Sequence, residues 1–141
     1  MKISEQGINL IKHFESCKLI AYKCEAGVKT IGFGHTENVD NGMVISEANA
    51  IRLLKDDLKR FEAQIDKLAL SINQNQYDAL VSFTFNLGIG NLQSSTLLKK
   101  IKENPDNLEI AGEFIKWINA GGEKLRGLLL RRLTEAVLYF S

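Results

Sequence analysis

Apolar residues recur at helical spacing from the start of the chain. Ile8, Ile11 and Phe14 form a stripe that Leu10 widens into a face, and Ser4 ahead of them is a natural N-cap. The pattern predicts a first helix from Ser4 to about Glu15. The period then changes: between Leu19 and Thr36 the β-formers Val28, Thr30, Ile31 and Phe33 are broken by Gly27, Gly32 and Gly34, which predicts a small hairpin or meander with tight turns. After Ser46, residues Ala48, Ile51, Leu54, Leu58, Phe61, Ile65 and Leu68 step by three and four. They predict one long amphipathic helix with a charged outer face, of a length that suits a strut between two lobes.

The rest of the chain alternates caps with apolar helical stretches. Asn73 with Gln76 reads as a capping box, Ser94 or Ser95 as the opening of another helix, and Asp106 with Glu109 as that of a third. Gly88, Gly90, Gly121 and Gly122 mark expected helix ends, and Pro105, between Asn104 and Asp106, a turn. The aromatic residues Phe83, Phe85, Phe114 and Trp117 fall at helical spacing, which assigns them to core packing rather than to stacking on a ligand. The expected class is α+β, mostly α, in a single domain over 1–141: a small β-containing lobe over about 16–45, a connecting helix over about 46–68, and a helical lobe over about 70–141 that also packs the N-terminal helix.

Composition narrows the function classes. A chain of 141 residues with 45% hydrophobic side chains has core material for one domain. Eighteen Lys and Arg against seventeen Asp and Glu leave a formal net charge of +1, so no global field favours nucleic acid as a partner. Met1 to Gly7 lacks the apolar core of a signal peptide, and no run approaches the ~20 apolar residues of a membrane span. The expectation is a soluble chain without an export signal. Two cysteines, Cys17 and Cys24, are too few for a disulfide scaffold and lack the spacing of a structural zinc site.

Cleaving a glycosidic bond needs a protonated acid on the leaving oxygen and, across the sugar ring, a group that activates water or stabilises the positive sugar. Glu15 closes the first apolar face just before the turn into the β region, a place where a cleft can open. Pattern alone also allows a solvated helix-end glutamate there.

The stretch Phe14-Glu15-Ser16-Cys17, then Ala21-Tyr22, then Gly27-Val28-Lys29-Thr30-Ile31-Gly32-Phe33-Gly34-His35-Thr36 resembles the active-site signature of phage-type lysozymes, glycoside hydrolase family 24. The resemblance continues through Gln76-Tyr77-Asp78-Ala79-Leu80-Val81-Ser82-Phe83 and Phe85-Asn86-Leu87-Gly88. It runs on through Ser94-Ser95-Thr96-Leu97-Leu98, Trp117, Gly121-Gly122, Gly127-Leu128, Arg131-Arg132 and Glu135, and so covers essentially the whole chain. It implies a lysozyme-like fold and an endolysin that hydrolyses the β-1,4 bond between N-acetylmuramic acid and N-acetylglucosamine in peptidoglycan, lysing the host cell. In the family a Glu, an acidic residue after an eight-residue gap and a Thr after a further five form the catalytic set. These map onto Glu15 as general acid, Cys24 and Thr30.

The middle position departs from the acidic form, although cysteine also occurs there in family members. A thiol of ordinary pKa, ~8.5, is mostly neutral at pH 7, so Cys24 needs surroundings that stabilise thiolate to act as a base. Base, nucleophile and water-orienting group all remain open for it. Neighbouring Glu25 is a second carboxylate, but successive strand residues point to opposite faces, an exclusion that weakens in a turn. Thr30 brings a hydroxyl able to hold water, a role the resemblance alone assigns. His35 lies outside the family's catalytic set and is read as lobe architecture.

Cys17 and Cys24 are separated by a single turn, so a modest loop change brings their sulfurs within bonding distance and occupies the thiol at position 24. An oxidised inactive and a reduced active form are therefore expected, similar to the thiol control of exported endolysins that carry an N-terminal membrane anchor. This chain shows neither that anchor nor a third cysteine. Two rival readings are a peptidoglycan-binding module that has lost catalysis, and membrane lysis by a basic C-terminal helix carrying Lys124, Arg126, Arg131 and Arg132. Arg131 and Glu135 are also spaced for an intrahelical ion pair. No metal and no organic cofactor is implied. Peptidoglycan is the expected partner of a monomer made in the host cytoplasm that acts after release through the inner membrane.

Overall fold

The structure, a computed structural model, describes residues 1–119 and 121–141, Glu123 by its backbone alone. Its elements are α1 (Glu5–Phe14), β1 (Lys18–Lys23), β2 (Lys29–Gly32), α2 (Glu47–Asp66), α3 (Gln74–Leu87), α4 (Ile89–Ser94), α5 (Thr96–Glu103), α6 (Ile110–Ile115) and α7 (Gly122–Tyr139). The class is α+β and mostly helical, as expected. The chain forms two compact units, one of residues 11–60 and one of residues 1–10 with 61–141.

In the first unit β1 and β2 pair antiparallel, with Tyr22 opposite Thr30 and Lys23 opposite Lys29; an irregularity between Lys18 and Tyr22 shifts the register. Gly27, at φ 77°, makes the turn with a conformation that a side chain would strain. The far edge of β1 bonds to residues 43–45, with Ala21 N–H donating to Met43 O at 2.8 Å and Ile45 N–H to Leu19 O at 2.9 Å. The two strands differ in burial because β2 faces α2. Thr30, Ile31, Gly32 and Phe33 are buried with Ala50, Leu54 and Leu58, whereas Ile20 and Tyr22 on β1 remain exposed. A Cβ on Gly32 would lie 3.4 Å from that of Ala50, so β2 and α2 touch backbone to side chain.

The second unit is built round α3, buried from Gln76 to Thr84. Its capping box is formed as expected: the Asn73 side chain accepts from Gln76 N–H at 2.9 Å, and Gln76 Oε1 from Asn73 N–H at 3.0 Å. Ser95 caps α5, accepting from Leu98 N–H at 3.0 Å. Two details differ from expectation. Asp106 and Glu109 form no capping box: Glu109 is the N-cap position of α6 but makes no side-chain cap bond, Asp106 accepts from the Gln76 amide at 3.2 Å, and Asn107 Oδ1 takes the Glu109 N–H at 2.9 Å. Gly90 lies inside the short α4 rather than at an end.

Asp78, fully buried on α3, ties down the start of α1. It accepts from Ser4 N–H at 3.0 Å, from the Ser4 hydroxyl and from the Gln74 amide at 2.7 Å. Gly7 lets this carboxylate approach, because a Cβ there would sit 2.6 Å from Ile3 Cγ1 and 2.8 Å from Asp78 Cγ. Since Asp78 is held by three donors it cannot retreat. Gly7→Ala should therefore destabilise the chain by about 1–3 kcal/mol despite the higher helix propensity of alanine. A denaturant midpoint at or above that of the parent would show that the contact yields.

Candidate active site

α1 places Glu15. Phe14 is its last residue, and Glu15 N–H continues the helical ladder to Ile11 O at 2.9 Å, so the carboxylate leaves the helix end half-buried at the entry to the hairpin. Cys24 follows β1 directly and begins the turn, with its N–H donating to Val28 O at 3.0 Å and its O accepting from Gly27 N–H at 2.8 Å. Hydrogen bonding from the backbone of Val28 and then of Ala26, with a smaller contribution from the Thr30 hydroxyl, holds the Cys24 thiol below its ordinary value.

Thr30 is buried, and its Oγ1 donates to Val28 O at 3.0 Å. A hydroxyl has one proton, so it serves either that carbonyl or a thiolate at any instant. Cys24 N–H and Thr30 Oγ1 thus both donate to Val28 O, and Glu15 lies in the same unit at the end of α1. Glu25 is exposed in the turn. Cys17 is exposed ahead of β1, and burial followed by the charge of Glu47 pushes its thiol up, with Lys12 opposing. Both cysteines are free thiols, and of the two only Cys24 has surroundings that favour thiolate.

Other candidates take structural places. His35 Nδ1 lies 2.9 and 3.0 Å from the two carboxylate oxygens of Asp57 on α2, which pins the loop after β2 to that helix. Asp57 escaped the sequence reading because it falls on the outer charged face of α2, where spacing signals only solvent. A concavity of about 460 Å³ beside this pair is lined by His35, Met43, Arg52 and Asp57 but by none of Glu15, Cys24 and Thr30. Phe83 and Phe114 are fully buried; Phe85 and Trp117 are half-buried, with Trp117 edge-on to Phe83 at 5.7 Å.

The basic C-terminal helix is not an external basic face. Arg131 and Arg132 are buried with Glu135, and only Lys124 and Arg126 of the four cations are exposed, which removes most of the basis for membrane lysis by α7. Among the described residues no helix is long and apolar enough to cross a membrane. No group of three or more His, Cys, Asp or Glu among them is placed to hold a metal ion.

A family model described as phage lysozyme matches residues 12–135. An endolysin of Bacillus phage B103 is 45% identical over 146 residues; the match takes in all of this chain and 55% of that protein. Among solved structures, the muramidase domain of SpmX from Asticaccaulis excentricus superposes with a TM-score of 0.91 at 34% identity, covering 99% of this chain and 98% of that one. A lysozyme of phage P22 gives 0.88 at 38% identity, covering 100% and 99%. The chain therefore spans about half the length of the Bacillus phage relative and nearly all of the P22 enzyme.

Proposed function

This chain belongs to the phage lysozyme family of glycosidases, and on that footing we propose that it is an endolysin cutting the β-1,4 bond between N-acetylmuramic acid and N-acetylglucosamine in bacterial peptidoglycan. Glu15 gives its proton to the leaving glycosidic oxygen. Water, held by the Thr30 hydroxyl, attacks the anomeric carbon from the opposite face and passes its proton to the Cys24 thiolate. The carbon–oxygen bond to the leaving sugar breaks as that to water forms, which inverts the anomeric centre. Solvent exchange then returns the proton from sulfur to Glu15.

The observation that carries this reading is the cradle round Cys24. Backbone N–H groups of Val28 and Ala26 and the Thr30 hydroxyl favour thiolate at the position where family members carry an acidic residue. The chemistry needs no metal and no second copy of the chain. Synthesis in the host cytoplasm and passage through the inner membrane would bring it to the wall.

Reducing ends released from purified peptidoglycan, with the new terminal sugar identified after borohydride reduction, test the proposal. Reduced muramic acid is the expected product. Reduced glucosamine would move the cut to the other bond, and no reducing ends at any pH would leave a binding module.

A further inference from the structure

One exposed aromatic ring stands beside Cys24 and Thr30 without a part in the chemistry. Tyr22 pairs directly opposite Thr30 across the hairpin, and residues opposite each other on antiparallel strands share a face. Cys24 lies two residues beyond Tyr22 and continues the ladder through its N–H to Val28 O at 3.0 Å, so strand alternation puts it on that face too, with Val28 across from it. The hydrogen-bonding contribution of the Thr30 hydroxyl to the Cys24 thiol fits the same placement. Lys23 and Lys29, opposite each other, fall on the other face. The surface round Cys24 and Thr30 therefore carries two apolar side chains and no formal charge.

Burial divides that surface. Thr30 is 4% exposed, whereas Tyr22 and Val28 are 39% and 45% exposed. Among the described residues no other ring contacts that of Tyr22, unlike the packed rings of Phe83, Phe114 and Trp117. A partner that served only to cover Thr30 could be a β-branched residue, which leaves less apolar area in water. The stereochemistry of the reaction says what this surface meets. In a β-linked sugar of gluco configuration the substituents are equatorial, so the α face presents only axial C–H bonds, at C1, C3 and C5. Water that displaces a β-linked oxygen with inversion reaches C1 from that α face. A sugar attacked by water held at Thr30 thus turns an unbroken C–H face toward this side of the hairpin, and the electron-rich face of an aromatic ring complements it.

Resting on the muramidase reading above, we propose that Tyr22 is a substrate-binding residue whose ring packs on the C3–H and C5–H face of the sugar attacked at its anomeric carbon, seating that carbon beside Cys24 and Thr30. Tyr22→Ile separates this role from a structural one. Isoleucine is a strand former that still covers Thr30 but offers no flat ring.

Binding is measured on the full chain, silenced by Glu15→Gln, with the tetrasaccharide of two N-acetylglucosamine–N-acetylmuramic acid repeats as probe. In its proton NMR spectrum the H3 and H5 signals of the internal muramic acid should move upfield on binding, the ring-current signature of protons over an aromatic face. Tyr22→Phe in the silenced chain keeps the ring and should keep these shifts. Tyr22→Ile should abolish them and bind about tenfold more weakly. In the active chain the loss from Tyr22→Ile should fall on KM, with the pH dependence due to Cys24 unmoved, because a merely structural Tyr22 would disturb Cys24 and Thr30 and so move it. H3 and H5 signals that stay unshifted at every chain concentration, or Tyr22→Ile with the affinity of the silenced chain, overturns the assignment. Release of reducing ends by the unaltered chain is scored separately. Release with unshifted signals overturns the role of Tyr22 alone, and no release overturns the muramidase reading and this one with it.

Discussion

Replacing Glu15 with glutamine should lower the release of reducing ends from peptidoglycan by a factor of about 10²–10⁴, the range for loss of a positioned general acid. The amide keeps the shape of the side chain but has no acidic proton for the leaving oxygen. An alkoxide-like sugar oxygen would then have to depart unprotonated. Circular dichroism of the variant must match that of the parent, which assigns the loss to chemistry. Activity within a factor of about three of the parent, well short of the usual effect, would remove Glu15 from the acid role.

Substitutions at Cys24 should separate the roles of that side chain. Cys24→Ser preserves the turn but puts in a hydroxyl far too weakly acidic to ionise near neutrality, and activity should fall about 10²-fold or more. Cys24→Asp should restore much of it, because the N–H groups that favour thiolate also favour carboxylate. The pH profiles carry the sign. The parent thiol is held below its ordinary value by hydrogen bonds to its charged form, and the mechanism also needs Glu15 protonated, so the profile should have two limbs, the one reporting Cys24 lying below the range of an ordinary thiol. In Cys24→Asp that limb should move down to the carboxylate range, about pH 4. Full activity in Cys24→Ser would leave only a water-orienting role for position 24, and retention at the anomeric carbon would make the thiolate a nucleophile.

What was legible in the chain followed from local rules. The helical spacing of Ile8, Ile11 and Phe14 and the three-four stepping from Ala48 to Leu68 placed α1 and α2 to within about two residues, because amphipathic periodicity is a local consequence of burying one helix face. The Asn73–Gln76 box and the Ser95 cap were equally readable, since each is closed within four residues. The gap pattern from Glu15 to Cys24 to Thr30 marked candidate chemistry through resemblance alone.

Tertiary structure decided the rest, wherever a group's environment comes from a distant part of the chain. Asp106 reads as a helix cap and instead bonds the Gln76 amide, thirty residues earlier. Asp57 reads as solvent-facing and pairs with His35 across twenty-two residues. Arg131 reads as the i,i+4 partner of Glu135, and that pair forms at 3.3 Å, but its burial with Arg132 against Ser82 and Asn86 comes from distant residues. No spacing rule reaches these distant partners, because charge tells where a residue is costly to bury but not which fold supplies its partner. The sequence by itself determined α1, α2, the starts of α3 and α5, the hairpin and the position of the thiol. Whether that thiol favours its anion depended on the turn through Gly27, which brings two backbone donors and a hydroxyl to one sulfur.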